Sequence, residues 1–305
     1  MDSTTPATEL AEARYAGLDT WPDETILAAL LDGQKRALGS VGAAIPALAA
    51  AARLAAEKLA AGGRLAYLGA GSPALIALGD ALEIPQTYGV PRDRIVLILA
   101  GGEAITRNLT GTDEDDAGLA EHDVVAAAIG PADCLVAVSA SGSTPYTVAG
   151  LTAARAAGAA TVGIAGNSGA PLLAAAEVAV LLDAGPEVIS GSTRMGAGTA
   201  QKVALNMLST LVGVRLGHVH DGLMVNVNAD NAKLRGRATR IVMRIAGVEQ
   251  SRAHAALSLS DGAVKPAVLI AAGATPAEAG TLLGRTKGNL RAALALLGTA
   301  TPAVG

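Results

Sequence analysis

Val136-Ala137-Val138-Ser139-Ala140-Ser141-Gly142-Ser143-Thr144-Pro145-Tyr146 is the stretch on which the fold turns. An apolar run from Cys134 to Val138 ends in serines, a glycine and a threonine. Pro145 follows where a helix can begin, because proline is tolerated in a first helical turn. The order is strand, loop, helix. Such a loop offers the hydroxyls of Ser139, Ser141, Ser143 and Thr144 together with backbone N–H groups at the positive end of a helix, a setting that suits a small anion such as a phosphate ester. The same residues also suit a plain helix cap. The flanking sequence has to decide between the two.

Outward from the loop, short apolar runs alternate with helical patterns. Strands are predicted at Arg64 to Leu68, Ile95 to Ala100, Cys134 to Val138, Thr161 to Ala165 and Val178 to Leu182. Between them lie helices at Ala74 to about Leu82, beyond an N-cap at Thr112, at Tyr146 to Ala157 and near Pro171 to Ala175. Strands spaced by helices make βαβ units, hence an α/β fold, a three-layer αβα sandwich around a parallel sheet whose ligands sit beyond the carboxyl ends of the strands. The loops at 69–73, 101–112, 139–144 and 184–193 therefore share a rim.

Ahead of the sheet, residues 1 to about 22 form an irregular arm in which Thr4, Thr5, Pro6, Thr8 and Glu9 lead to Tyr15, Leu18 and Trp21; an arm of this kind is expected to lie on a neighbouring surface. Pro22 to Ala61 reads as two helices, with breaks suggested by Gly33, Gly39, Gly42 and Pro46. Gly185 to Lys202 opens a long helix running to about Leu216. After Gly222 the chain turns wholly helical, first over Asn226 to Ala246 and then in three short helices separated by Gly262, by Gly273 to Pro276 and by Gly288. Lys233, Arg235, Arg237, Arg240 and Arg244 read as a solvated helix face. The expected division is 1–61 for the arm and first helices, 62–225 for the α/β core and 226–305 for an all-helical subdomain.

Composition narrows the function. Apolar residues make up 51% and charged residues 16%, and the net charge is −4, so no basic surface invites nucleic acid or an anionic membrane. Apolar runs such as Val41 to Ala52 are broken at Arg53, short of the ~18 residues a membrane span needs. The first twenty residues carry acids where a secretion signal would be basic and then apolar, which points to the cytoplasm. The single cysteine, Cys134, falls in a buried strand and excludes a disulfide framework within one chain. Of His122, His218, His220 and His254 only His218 and His220 are close, and no metal site is expected. Gly69-Ala70-Gly71 lacks the third glycine of a dinucleotide fingerprint, and neither a ribose-binding acid nor a P-loop lysine follows, so no cofactor is expected.

Two acids stand out by position. Glu83 ends the helix that begins on the first glycine loop, flanked by Leu82 and Ile84, where burial would keep it protonated as a general acid requires. Glu114 follows the second strand at a predicted helix start, where the dipole favours the ionised form and a base. Two carboxylates in opposed environments suit acid–base work. Read alone, both are structural first, since acids in a first helical turn are usually caps.

Ser139 to Tyr146, Gly185 to Lys202, and Asn206-Met207-Leu208-Ser209-Thr210 with Gly222-Leu223-Met224-Val225 resemble the sugar isomerase (SIS) superfamily and, within it, the N-acetylmuramic acid 6-phosphate etherases. The similarity runs from about Gly62 to Gly247. The resemblance implies a cytoplasmic lyase that needs no cofactor and acts on a phosphosugar: elimination of D-lactate from C3 after loss of the C2 proton, then addition of water. Glu83 matches the family's acid in its Asp-x-x-Glu-x-Pro segment and Glu114 its second catalytic glutamate. Gly71, Ser72, Ser139, Ser141, Gly142, Ser143, Thr144, Glu187, Ser192, Thr193 and Arg194 fall where the family binds substrate. A homodimer with sites near the subunit boundary is implied as well. The first loop departs from the family's Gly-Ala-Gly-Thr-Ser-Gly-Arg, reading Gly69-Ala70-Gly71-Ser72-Pro73-Ala74-Leu75; Ser143 stands where arginine is frequent and Gly196 where lysine follows the methionine. Each missing cation removes a charge-assisted hydrogen bond of roughly 1.5–3 kcal/mol. An isomerase using Glu114 or Glu187 to shuttle a proton between C1 and C2, and a sugar-phosphate sensor without turnover, are the competing readings.

Overall fold

The computed structural model describes residues 7–109 and 111–298; Thr4, Thr5 and Pro6 of the arm lie outside the described residues. By internal contacts the chain falls into two units, one holding the residues through Ala81 with Asp93–Leu211, the other Leu82–Arg92 with the residues from Val212 on.

The first unit carries α1 (Asp23–Ala43), α2 (Ile45–Ala60), β1 (Leu65–Gly69), the first turns of α3 (Gly71–Tyr88), β2 (Ile95–Leu99), α4 (Ala117–Ala126), β3 (Cys134–Val138), α5 (Pro145–Ala156), β4 (Ala160–Ala165), α6 (Pro171–Ala175), β5 (Val178–Leu181) and most of α7 (Gly196–Arg215). All five strands are parallel, in the order β2-β1-β3-β4-β5, with Leu65 opposite both Ile95 and Cys134 and Cys134 opposite Ala160. Every residue of β1, β3 and β4 is buried, as a sheet covered by helices on both faces demands. One face, with Ala66, Leu68, Leu135 and Ala137, packs against Ala120 and Val124 of α4 and Tyr146, Leu151 and Ala154 of α5. Burying a leucine of this kind is worth about 1.5–3 kcal/mol. On the other face the Tyr67 hydroxyl donates to Asp80 of α3 at 2.9 Å.

The second unit opens with β6 (Val219–His220) and β7 (Leu223–Met224), an antiparallel pair, and continues as α8 (Ala232–Ala246), α9 (Gln250–Ser258), α10 (Val264–Ala271), α11 (Pro276–Arg285) and α12 (Leu290–Leu296). Leu234, Ala238, Ile241, Val242 and Ile245 form the buried stripe of α8 and pack with Ala253, Leu257, Val268 and Leu290. Asn231 caps α8 through Leu234 N–H, and Thr275 with Glu278 forms a capping box on α11. Four short helices follow α8 where three were expected.

Other expectations need correction. Gly33, Gly39 and Gly42 lie inside α1, and the break falls at Ala44. Gly33 serves packing, since a Cβ there would stand 2.6 Å from Val188 Cγ2. Helix α3 begins at Gly71 and runs through Pro85 to Tyr88, further in both directions than Ala74 to Leu82. The described part of the arm lies on its own chain: Gly191 N–H donates to Thr8 O at 3.0 Å, Ser190 Oγ donates to Glu9 O at 2.7 Å, and Arg36 donates to the Tyr15 hydroxyl at 3.0 Å. Among the described residues no single helix is long and apolar enough to cross a membrane.

Candidate active site

Three loops leave neighbouring strands of the first unit at their carboxyl ends. Gly69 faces Val138 in β3 and Leu99 in β2, so the segments beginning at Ala70, Ala100 and Ser139 lie side by side. The loop after β3 is tightly organised. Ser139, 2% exposed, accepts from Gly142 N–H at 3.0 Å, and its hydroxyl pairs with that of Thr144 at 2.9 Å. Ser141 Oγ accepts from Ser143 N–H at 3.2 Å and from Ser143 Oγ at 3.1 Å, while Asn167 Nδ2 donates to Ser141 O. Gly142 has φ +76°, and a Cβ would lie 2.5 Å from the Ala170 Cβ, so the turn admits only glycine. Pro145 then opens α5 with Thr144 ahead of it. The hydroxyls are held by one another and by the loop's backbone N–H groups. Ser143, in the family's arginine position, is exposed and tied to Ser141.

The neighbouring loop brings a carboxylate to the start of α3. Gly71 has φ +58°, and a Cβ there would stand 2.7 Å from Glu114 Oε1 and 3.1 Å from Oε2. Ser72 is half-buried in the first turn of the same helix. Glu114 lies in a 3-10 turn, Gly111–Asp115, and is half-buried. Its carboxyl is raised above the ordinary value, first by burial and then by the Asp115 charge. The predicted environment is thereby corrected: Thr112 caps no α-helix, the cap belongs to Asp116, which accepts from Leu119 N–H at 2.9 Å, and Glu114 is not held ionised by a helix dipole. Glu83 also departs from expectation. It is exposed, so the single chain gives it none of the burial that a protonated carboxyl needs. It follows Gly71 by twelve positions in one helix, about 18 Å of helical rise.

Glu187 is 4% exposed and spends both oxygens on the first turn of α7, accepting from Ala197 N–H at 2.8 Å and Gly196 N–H at 2.9 Å. A Cβ on Gly196 would stand 3.0 Å from Glu187 Oε2, so this cap fits the residue found in place of the family's lysine. That arrangement makes Glu187 a helix cap, the N-terminal dipole being complemented by its charge, with each carboxylate oxygen accepting one backbone N–H. Ser192 and Thr193 are half-buried and Arg194 is exposed in the turn ahead of α7, where Thr193 O accepts from Gly198 N–H at 2.8 Å.

Sequence reasoning missed one polar cluster. Asp80, 7% exposed, accepts from Tyr67, from Asn206 Nδ2 at 2.7 Å and from Ser209 Oγ at 3.0 Å, and Lys202 bonds Asn206 in turn. The signal was Asn206 and Ser209, three apart and so on one face of the helix. Among the described residues no three His, Cys, Asp or Glu side chains are placed to hold a metal ion.

Residues 36–166 match the SIS domain family. Over 288 residues the chain is 48% identical to an N-acetylmuramic acid 6-phosphate etherase of Deinococcus radiodurans, covering 94% of each. It is 42% identical over 295 residues to the protein of the same name from Mycolicibacterium smegmatis, covering 96% of this chain and 99% of the relative. A solved phosphoheptose isomerase from Francisella tularensis aligns with 64% of the chain and 98% of its own length, at 18% identity and a TM-score of 0.48.

Proposed function

Since the chain belongs to the N-acetylmuramic acid 6-phosphate etherase family and is a carbon–oxygen lyase, we propose that Glu83 and Glu114 supply its acid and base and that the pair meets between two copies of the chain. The substrate is a phosphosugar, N-acetylmuramic acid 6-phosphate by family. The isomerase and sensor readings are not favoured, because relatives of 40–48% identity over most of the chain carry the etherase name.

The observation that carries the assignment is the Glu114 carboxylate lying against Gly71, one strand from the Ser139–Thr144 loop. With the sugar phosphate on the hydroxyls of Ser139, Ser141, Ser143 and Thr144 and the first turn of α5, the open-chain sugar extends toward Gly71 and Ser72. Glu114, its affinity for a proton raised by burial, takes the C2 proton made acidic by the C1 aldehyde. The C2–H electrons form the C2=C3 bond as the C3–O bond breaks, and the departing lactate oxygen takes a proton from the acid. Water then adds at C3 and a proton returns to C2, leaving N-acetylglucosamine 6-phosphate and D-lactate. Ser192, Thr193 and Arg194 would hold the sugar from the α7 side.

Glu83 is the acid in this scheme. The length of α3 between Gly71 and Glu83 argues that the acid reaches the C3 oxygen from a second chain, whose approach would also bury it. This favours a homodimer. The test is D-lactate release from N-acetylmuramic acid 6-phosphate by wild type, Glu83→Gln and Glu114→Gln. Release by wild type with at least a hundredfold loss in each variant is expected. Unimpaired release by either variant would remove that residue from the mechanism.

A further inference from the structure

Helix α8 turns an amphipathic face to its own unit and leaves its cations outward, but three of them do more than meet solvent. Arg237, Arg240 and Arg244 wall a cavity of about 490 Å³ whose remaining lining is Gly222, Leu223, Met224 and Ile241, all within the second unit. The spacing of three and four residues puts the guanidiniums on one stripe over about 10 Å of helix, within side-chain reach of a common point. No carboxylate lines the cavity, and among the described residues these three guanidiniums make no hydrogen bond or ion pair. Arg291 of the same unit is by contrast paired with Asp221. Arg237 is half-buried, and Arg240 and Arg244 are exposed.

We propose that this cavity is a second anion site, specific for a phosphomonoester with a small sugar or apolar body. Guanidinium forks match phosphate oxygens two at a time, and a phosphomonoester carries close to two negative charges at neutral pH against three fixed positive ones, a better balance than a single carboxylate gives. Leu223, Met224 and Ile241 supply the apolar floor on which a sugar ring or short chain lies, and the volume falls in the range of small-molecule sites. The site is chemically distinct from the Ser139–Thr144 loop, which works through hydroxyls and backbone N–H groups, so it does not rest on the etherase reading.

The test uses the full chain carrying Ser139→Ala and Ser141→Ala to weaken the loop after β3, titrated calorimetrically with glucose 6-phosphate, with inorganic phosphate and with glucose. One remaining site per chain for glucose 6-phosphate is expected. Its affinity should fall at least tenfold when Arg237→Gln and Arg240→Gln are added and weaken with rising salt, and glucose should not bind. Circular dichroism of the arginine variants checks that α8 still folds. Absence of residual binding, or binding indifferent to the arginine changes, would overturn the proposal. So would a raised KM for N-acetylmuramic acid 6-phosphate in Arg237→Gln/Arg240→Gln protein with the serines intact, since the arginines would then serve the etherase site itself.

Discussion

The Glu114 carboxylate occupies the space that a side chain on residue 71 would need: a Cβ at Gly71 would meet Oε1 at 2.7 Å, and the backbone there holds φ at +58°. Gly71→Ala therefore carries both left-handed strain, about 1–2 kcal/mol, and displacement of the Glu114 carboxylate. The expected outcome is a fall in kcat/KM of at least tenfold alongside a stability loss of only 1–2 kcal/mol, about the strain alone. Parallel D-lactate assays and urea denaturation check it; equal activity would mean that Glu114 moves aside without consequence.

The raised proton affinity of Glu114 fixes the sign of a pH dependence. In that proposed role it works only when ionised, so kcat/KM should fall as pH drops through a value raised above that of an ordinary glutamate. Asp115 contributes to that shift by like-charge repulsion. Asp115→Asn should move the acid limb to lower pH, and a pH–rate profile of the two proteins reads it directly. An unmoved limb would show that some other group controls the profile.

If each site joins Glu83 of one chain to Glu114 of another, two dead variants should rescue each other. Mixing Glu83→Gln and Glu114→Gln proteins, with brief unfolding to exchange subunits, places both intact glutamates in one of the two sites of each heterodimer. Recovery of up to about a quarter of wild-type activity is expected, since about half the dimers are mixed and each has one intact site. Activity no higher than the sum of the separate variants would place both glutamates in the same chain.

The strand–helix alternation was legible because its signal is local: strand Cys134–Val138 and helix Pro171–Ala175 carry their boundaries in an apolar run and a proline. The extent of α3 was not, because Ser72-Pro73 reads as loop and Pro85 as a stop, whereas both prolines fit the helix, Pro73 in its first turn and Pro85 in its last. Gly33 misled for a related reason. Its purpose is the approach of Val188, more than 150 residues away, and a glycine required by a distant neighbour looks locally like a break. The hydroxyl loop was visible as residue types at a strand end. The environments of Glu83 and Glu114 were not, because exposure and burial are set by tertiary neighbours, and sequence position alone assigned Glu83 the burial that Glu114 in part receives.

The Glu187 cap predicts stability ahead of chemistry. Glu187→Ala removes two bonds to the first turn of α7 and leaves Gly196 and Ala197 N–H groups buried without acceptors, a loss of about 2–4 kcal/mol; Glu187→Gln keeps one acceptor and should lose about half as much. Urea midpoints of the three proteins test the order. Lactate release per folded molecule should stay within a few-fold in Glu187→Gln, whereas a proton shuttle at this residue would abolish it.

Acid sensitivity should reside in the second unit. Burial, reinforced by the Lys265 charge, lowers His218 from 6.5 to about 4, although a backbone bond at Tyr88 opposes the shift. Its Nδ1 is buried without a partner. Between those values the unfolded chain binds a proton that the folded chain refuses, so folding stability is lost as pH falls from 6.5 toward 4. Allowing for partial exposure the loss from this group is about 2 kcal/mol. His220 is lowered in the same sense, by burial and then Arg291, with Asp221 opposing, so it adds to the slope. Lys265, lowered to about 8 by burial, stays protonated through this window and keeps its repulsion of a charged His218. His218→Asn should therefore flatten, without abolishing, the fall in urea stability between pH 7 and pH 4.5. An unchanged slope would shift the origin of acid lability to His220 or to the carboxylates, of which Asp133, held low by Arg64, is the best paired.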